Sequence, residues 1–284
     1  MKTPRLFGKR STVKGFLVRA GFLGILSTVT VGGCAHTFAG AQSGPASAEP
    51  TKRMAAGADP SFEVATIKPH NPNSNYNDFS FSRDRIALVD QTVLHLIVFA
   101  YAINRRQIAN APAWINNVTF DVEGKSDAKS QPNVRQEQEM VKKLLAERFG
   151  LQFHREKREL PVYALQIAKG GPRLTPTQHP DAQPTQHNDG HGTQTMRSFT
   201  SAAMSDFVQL MEYFVDRPII DQTGLTGRYD FKLTYTYADA TNSDPDSPPP
   251  LFTALQEQIG LKFQPMKAVT DVLIVDQVEQ PSPN

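Results

Sequence analysis

The feature that most constrains the fold of this chain is a sequence pattern that occurs twice. Gly150 begins the stretch GLQFHREKRELPVYAL, and Gly260, 110 residues later, begins GLKFQPMKAVTDVLIV. In both places a helix-like segment precedes the glycine and a β-rich run follows it. Glycine commonly ends a helix because it adopts the left-handed conformation easily. The pattern therefore predicts the same helix–strand unit at two points of the chain.

Other blocks recur in the same order around this pattern. Asp230 in the strand-like YDFK follows Asp121 in TFDV by 109 residues, and apolar helical segments begin at Thr92 and at Ser205, 113 residues apart. Ordered recurrence at a nearly fixed offset indicates an internal repeat. We predict an α+β fold of duplicated α-β-α-β-β halves, with helices packed on a largely antiparallel sheet. Each half is near the size at which a separate core is marginal, which favours one compact unit.

Hydrophobic periodicity predicts the elements and boundaries of the two halves. After each glycine we expect two strands, joined at Glu159–Leu160 in the first half and between LKFQPMKA and DVLIVDQV in the second. Residues 170–195 are rich in Pro, Gly, Gln, Thr and Asn, which predicts a long loop or linker. Residues 61–284 thus form the duplicated domain, with the first half at 61–170 and the second at 196–284.

Residues 1–41 carry the features of an export signal. Six Lys and Arg residues and no acid precede residue 34, and the apolar run AGFLGILSTVTV is followed by small residues. Two processing sites remain open, because VGGC resembles a lipobox in which Cys34 receives a lipid, and AGA, ending at Ala41, resembles an ordinary cleavage site. Residues 42–60 are rich in Ala, Gly, Ser and Pro, which predicts a flexible linker. We expect an exported protein that is periplasmic, attached to the outer membrane or secreted.

The charge distribution argues against a nucleic-acid partner. The formal charge is +2, and removal of the six N-terminal cations leaves −4. Nucleic-acid-binding domains are usually basic, so we expect none here, and we expect membrane contact only through the signal or a lipid anchor. Cys34 is the only cysteine, so the domain is predicted to depend on its core rather than on disulfides.

A histidine-rich segment is the main candidate for metal chemistry. Imidazole and carboxylate ligands suit a divalent metal such as zinc. Metal binding also requires ligands held in a fixed geometry, and no helix or strand is predicted in this segment. We therefore interpret these residues as parts of a loop that does not bind a metal, and we expect no other cofactor. The candidate ligands are His179, His187, Asp189 and His191.

Three further residues have side chains that could act as acids or bases, but the sequence does not predict a catalytic role for them. Alternation along the strand places His154 opposite Phe153 and towards solvent, with no Ser or Cys nucleophile paired with it. Asp121 and Asp230 occupy matching positions of the repeat, where an acid faces solvent or caps a neighbouring backbone group. Asp121 and Asp230 could act together as general acid and general base only if the two halves faced each other.

Several segments together carry a family resemblance. FEVATIKP, FDVEGKS, LLAERFGLQFHREKRELPVYALQIAKGGPRL and DQTGLTGRYDFKLTYT occur in one order within Ser61–Asn284. This range resembles a family of exported proteins of soil bacteria, expanded in acidobacteria and carried as a domain of unknown function. The resemblance implies no established activity. Related domains fused to membrane sensor peptidases imply an extracytoplasmic sensing or binding role.

These observations favour a non-catalytic binding or sensing module of the bacterial cell envelope, with or without a lipid anchor. Its partner is expected to be an envelope ligand or protein. The alternative is a metal-dependent or acid–base hydrolase of the envelope.

Overall fold

The structure, a computed structural model, describes residues 54–281 except residue 56 and residues 83–84, 128–129, 192–193 and 237–247. Strands account for about 45% of the residues and helices for about 24%. The fold is therefore α+β as predicted, with more strand than helix. The predicted export signal, with Cys34 and Ala41, lies outside the described residues.

The N-terminal part of the domain is an antiparallel sheet covered by helices. We call this four-stranded sheet, with strand order β1-β5-β3-β2, the first sheet. Thr92 caps α1 by accepting the His95 N–H at 3.1 Å, and Gly150, at φ 58°, ends α3 as predicted. The elements are β1 (Phe62–Pro69), β2 (Asp78–Phe81), β3 (Arg85–Thr92), α1 (Val93–Tyr101), β4 (Ile108–Ala109), α2 (Trp114–Asn117), β5 (Thr119–Ser126) and α3 (Val134–Phe149).

The C-terminal part contains another antiparallel sheet and three helical segments of four to eight residues. This second sheet has the strand order β7-β11-β9-β8. A π-helical turn, Leu255–Ile259, continues α5 and ends at Gly260, at φ 68°. The elements are β6 (Gln152–Ile167), β7 (Thr175–Pro176), β8 (Thr185–His191), β9 (Gln194–Ala203), α4 (Met204–Met211), β10 (Ile219–Asp221), β11 (Arg228–Thr236), α5 (Leu251–Ala254) and β12 (Leu261–Gln277).

The stretches after Gly150 and Gly260 are each one long strand, which corrects the predicted pairs of strands. β6 and β12 pair antiparallel from Leu261 opposite Ile167 to Val275 opposite Phe153. Short parallel strands flank them, since β10 pairs with β6 and β4 pairs with β12. The charged middle continues as strand because it is exposed to solvent and carries cross-strand ion pairs, such as Lys157 with Asp271 at 2.9 Å.

The two long strands connect two hydrophobic cores. The first core lies between the first sheet and α1–α3, and it also contains Leu273 and Val275 of β12. The second core lies between the second sheet, α4 and α5, and it also contains Tyr163 and Leu165 of β6. β12, a strand of the C-terminal part, therefore also packs in the core that is built mainly from the N-terminal part, so the packing of the N-terminal part depends on the C-terminal part.

Two segments that were predicted as irregular contain ordered structure. Residues 170–195 include β7 and β8, because β8 pairs along its length with β9 even though its polar composition lacks hydrophobic alternation. The end of the predicted 42–60 linker contacts α3, where the Gln136 side chain donates to the Ala55 carbonyl at 2.7 Å and Lys143 pairs with Asp59 at 2.7 Å. None of the described helices is long and apolar enough to span a membrane.

Candidate functional site

α4 and the strand that follows it place a buried carboxyl group at the boundary between the two cores. The apolar side of α4, including Phe207 and Met211, packs in the second core. The helix ends at Glu212, which is only 8% exposed. The chain then returns through β10, where the Ile219 N–H donates to Glu212 Oε1 at 2.7 Å. This hydrogen bond fixes the orientation of the carboxyl group.

The N-terminal part of the domain supplies the opposite wall through the residues after α1. Asn104 is fully buried, and its Nδ2 donates to the Glu212 carbonyl at 3.0 Å and to the Val215 carbonyl at 3.1 Å. Gln107 donates from Nε2 to Thr270 Oγ1 at 3.2 Å. These bonds join the end of α1 to the end of α4 and to β12 across more than 100 residues of sequence.

An open cleft of about 440 Å³ lies between these walls; we call it the junction cleft. Among the described residues, its lining contains two carboxylates and neither Lys nor Arg. Aliphatic side chains alternate with amide and hydroxyl groups, as is usual for small-ligand sites. The lining residues are Ala102, Ile103, Gln107, Ser205, Val208, Gln209, Glu212, Pro218, Ile219, Asp221 and Thr270.

Burial gives Glu212 unusual acid–base properties. It raises the pKa of this carboxyl to about 7, while the Ile219 N–H and the Asn104 side chain act in the opposite direction. Glu212 Oε2 and the Tyr213 hydroxyl are the buried side-chain polar atoms without a hydrogen-bond partner in the described part of the chain. A carboxyl whose pKa is raised by burial and that lines a cleft is a candidate functional group.

A second polar cluster lies in the first sheet. His70 Nδ1 is 2.6 Å from Asp121 Oδ1, which also accepts the Asp90 N–H at 3.2 Å. Asp90 has the left-handed φ of 58°, so the carboxylate supports a strained backbone position. The hydrogen bond to Asp121 raises the pKa of His70 and favours the imidazolium form.

In the second sheet, an aspartate supports a left-handed residue in a similar way. Asp230 Oδ1 accepts the Ser201 N–H at 2.7 Å, and Ser201 has a φ of 52°. Both Asp121 and Asp230 therefore cap neighbouring backbone groups, which was one of the two expected roles. They belong to different sheets.

The predicted metal candidates lie on the second sheet and before it. His187 and Asp189 are on the edge strand β8, and His179 is exposed in the preceding segment. The side chain of His191 lies outside the described residues. Over the described residues, no three His, Cys, Asp or Glu side chains are placed to hold a metal ion.

His154 is exposed on β6, in agreement with the predicted alternation against the core residue Phe153. It lies 2.8 Å from Asp276 and 3.2 Å from Glu156. The hydrogen bond to Asp276, followed by that to Glu156, raises the pKa of His154. This cluster is a surface ion-pair network on the paired strands β6 and β12, and its residues do not line the junction cleft.

Sequence reasoning did not find Glu212 or Asn104. One local signal was present, because Glu212 is a lone acid within the apolar run LMEYF. Asn104 carried no comparable signal, since its importance arises from contacts with residues more than 100 positions away.

Comparison with known families identifies the domain. Residues 94–278, more than half of the chain, match DUF3738, a family described as a protein of unknown function. The chain belongs to the DUF3738 family. The predicted membership of a family of unknown function is thus confirmed, and the matched range contains every residue that lines the junction cleft. No curated protein and no solved structure matches the chain.

Proposed function

We propose that this DUF3738 protein is an exported binding or sensing module of the bacterial cell envelope, and that its ligand occupies the junction cleft. The observation that carries this proposal is the buried carboxyl of Glu212, which has one oxygen without a partner and lines an open cleft. Buried polar groups are normally hydrogen-bonded, so such an atom in a cleft indicates a place for a ligand group.

The position of the cleft also suits a sensing role. Residues from both sides of the junction line it, including Ile103 after α1 and Val208 on α4. A ligand that contacts both walls binds more tightly when the walls are correctly spaced, and it therefore favours one arrangement of the two parts.

Blocking the cleft tests its role in binding. Gln209→Trp places a large ring in the lining, and Gln256→Trp places the same ring at an exposed position of the π-helical turn as a matched control. We expect a thermal-shift screen of envelope peptides and glycans to give ligands that stabilise the wild-type protein and the control but not Gln209→Trp. A screen without binding at millimolar concentration would overturn the proposal.

Export and lipid attachment form a separate part of the proposal. Their support is the N-terminal sequence, in which a cationic and apolar segment precedes Cys34 and Ala41. Radiolabelled palmitate in cells that produce the full chain distinguishes the two processing sites. Label that is absent from a Cys34→Ser variant supports a lipid anchor, and cleavage after Ala41 without label supports a free exported protein.

We further propose that the two parts arose by internal duplication. The strand orders β1-β5-β3-β2 and β7-β11-β9-β8 agree position by position in chain order. The left-handed residues Asp90 and Ser201, 111 positions apart, both donate to an aspartate on the adjacent strand. Recurrence of the 110-residue offset at these positions across DUF3738 sequences tests the duplication, and a survey of genomes tests the expected expansion in acidobacteria and other soil bacteria.

An acid–base hydrolase of the envelope is the second candidate function. It is favoured by the presence of Glu212, with its pKa near 7, in the same cleft as a second carboxylate, Asp221. Hydrolysis of an envelope ester or glycoside that is abolished in both Glu212→Gln and Asp221→Asn would support this function. Zinc content of protein purified without nickel resin tests the metal-dependent form.

A further inference from the structure

We infer that the junction cleft recognises an aliphatic amine of the lysine type, whose cationic head pairs with Glu212. This inference rests on the proposed binding function and names the chemical class of its ligand.

The charges around the cleft favour a cation. Glu212 and Asp221 are the charged lining residues, and both are acids. The nearby Arg106 and Arg217 do not line the cleft and instead lie 3.7 and 3.6 Å from Asp216. A buried carboxylate without an opposite charge is costly, and a cationic ligand would remove that cost by forming the missing pair.

The geometry of Glu212 leaves one oxygen for the ligand. Oε1 accepts the Ile219 N–H, whereas Oε2 is buried without a partner. Glu212 is also the C-cap of α4, where the negative end of the helix dipole attracts a positive charge. Both effects favour an ammonium group at the Glu212 end of the cleft. Because Oε2 is buried, the pair forms when the Glu212 side chain turns this oxygen towards the cleft.

The remaining lining suits the rest of a lysine-type chain. Ile103, Val208 and Ile219 offer aliphatic surface for methylene groups, and Ser205 and Gln209 offer polar groups near them. A cleft of about 440 Å³ holds one such side chain with its adjacent backbone.

Binding of a cation should be linked to proton release. The free carboxyl of Glu212 has a pKa of about 7, and a bound ammonium group favours its ionised form. Asp221 on β10 is the other titratable lining group, whereas the lining residues after α1 and on β12 are uncharged. At pH 7 we expect release of up to about half a proton for each ligand bound.

Calorimetry with matched probes tests the inference. Nα-acetyl-lysine N-methylamide and its uncharged norleucine analogue are titrated into the purified wild-type protein in phosphate and in Tris at pH 7. We expect the lysine probe to bind at least about tenfold more tightly, with buffer-dependent heats that report proton release. Glu212→Gln should remove this preference, and Glu257→Gln, which neutralises an exposed glutamate outside the cleft, should retain it.

The possible failures have different meanings. Equal binding of the two probes by the wild-type protein, or a preference that survives in Glu212→Gln, overturns the amine inference. If the uncharged probe binds and Gln209→Trp blocks it, the proposed cleft function stands and only the ligand class is wrong. If neither probe nor any compound of the envelope screen binds, both proposals are overturned. The comparison of probes on the wild-type protein does not depend on the folding of any variant.

Discussion

The helices α1 and α4 each directly follow a strand of an antiparallel sheet, β3 and β9, yet they end in chemically different ways. At the end of α1, the Tyr101 ring packs against Phe153 at 4.9 Å and lies 5.5 Å from the Lys142 ammonium group. At the end of α4, Glu212 is buried with an unpaired oxygen beside a cleft. Similar backbone surroundings thus support a packed aromatic cluster in one place and a candidate binding site in the other, so the side chains distinguish the two helix ends.

The most destabilising substitution is expected where β12 packs in the first core. Leu273 lies on the C-terminal strand β12 but is 1% exposed in the first core. Leu273→Ala should lower the free energy of unfolding by about 2–5 kcal/mol, because it leaves a cavity there. Urea unfolding followed by the fluorescence of Trp114, which packs against that core, measures the loss.

Val269→Ala is the control for this comparison. Val269 is on the same strand and is 64% exposed, so its truncation should change the free energy by less than about 0.5 kcal/mol. If Leu273→Ala leaves the Trp114 transition as unaffected as Val269→Ala does, the N-terminal part does not depend on β12.

The next effect is the pH dependence introduced by Glu212. In the unfolded chain its pKa is near 4.5, and in the folded protein it is about 7, so the folded state binds the proton more tightly. Stability from this group is therefore highest below pH 4.5 and declines as the pH rises to about 7, by at most roughly 3 kcal/mol.

Glu212→Gln should remove this decline. Urea unfolding of both proteins at pH 4.5 and pH 8 should show that the variant gains up to roughly 3 kcal/mol relative to the wild-type protein at the higher pH. Parallel pH profiles for the two proteins would show that burial of Glu212 does not control its titration.

A smaller effect distinguishes two similar caps. Asn104 and Asn133 each begin a helical segment and each form a capping box with a glutamine three residues later. Asn104 also donates to two carbonyls at the end of α4, Glu212 and Val215. Asn104→Ala should cost about 2 kcal/mol and Asn133→Ala about 1 kcal/mol, since only the first leaves buried acceptors unpaired. Equal losses in thermal unfolding would show that these bonds across the junction contribute no net stability.

The smallest effect separates the two aspartates that support left-handed residues. Asp121 pairs with His70, whose pKa is raised in the folded protein, whereas Asp230 has no ion pair with a histidine among the described residues. Stability from the His70 ion pair is fully present below the ordinary histidine pKa of 6.5 and is lost as the pH rises through the raised value.

His70→Asn should therefore cost about 1 kcal/mol at pH 5.5 and less at pH 8. His187→Asn, at an exposed position of β8, is the matched control and should show no such pH dependence. A His70→Asn cost that does not change with pH would mean that the imidazole stabilises the fold without its charge.

The sequence predicted local structure better than long-range pairing. Gly150 and Gly260 end helices as expected, since a helix stop depends on the residue itself and a few neighbours. The charged run around Glu159 looked like a turn because nothing local shows that β12 lies alongside it. The polar strand β8 was missed for the same reason, as its pairing with β9 replaces the hydrophobic pattern that identifies most strands.

The candidate site was even less visible in the sequence. The burial of Glu212 depends on Asn104 and Ile219, which approach it through a loop after α1 and through the pairing of β10 with β6. A lone acid in the run LMEYF indicated an unusual position, but it could not indicate a cleft. The histidines of residues 170–195, which were the candidate metal ligands, lie on or before the edge strand β8 and are not among the described residues that line the cleft.

The most direct test of this account is a pH titration of the Glu212 carboxyl carbon by ¹³C NMR, with the signal assigned from its absence in Glu212→Gln. We predict a midpoint of about 7 in the free protein and a lower midpoint in the presence of saturating Nα-acetyl-lysine N-methylamide, because the bound cation favours the carboxylate. A midpoint near 4.5 in the free protein, unchanged by the probe, would contradict both the burial of Glu212 and its role in binding.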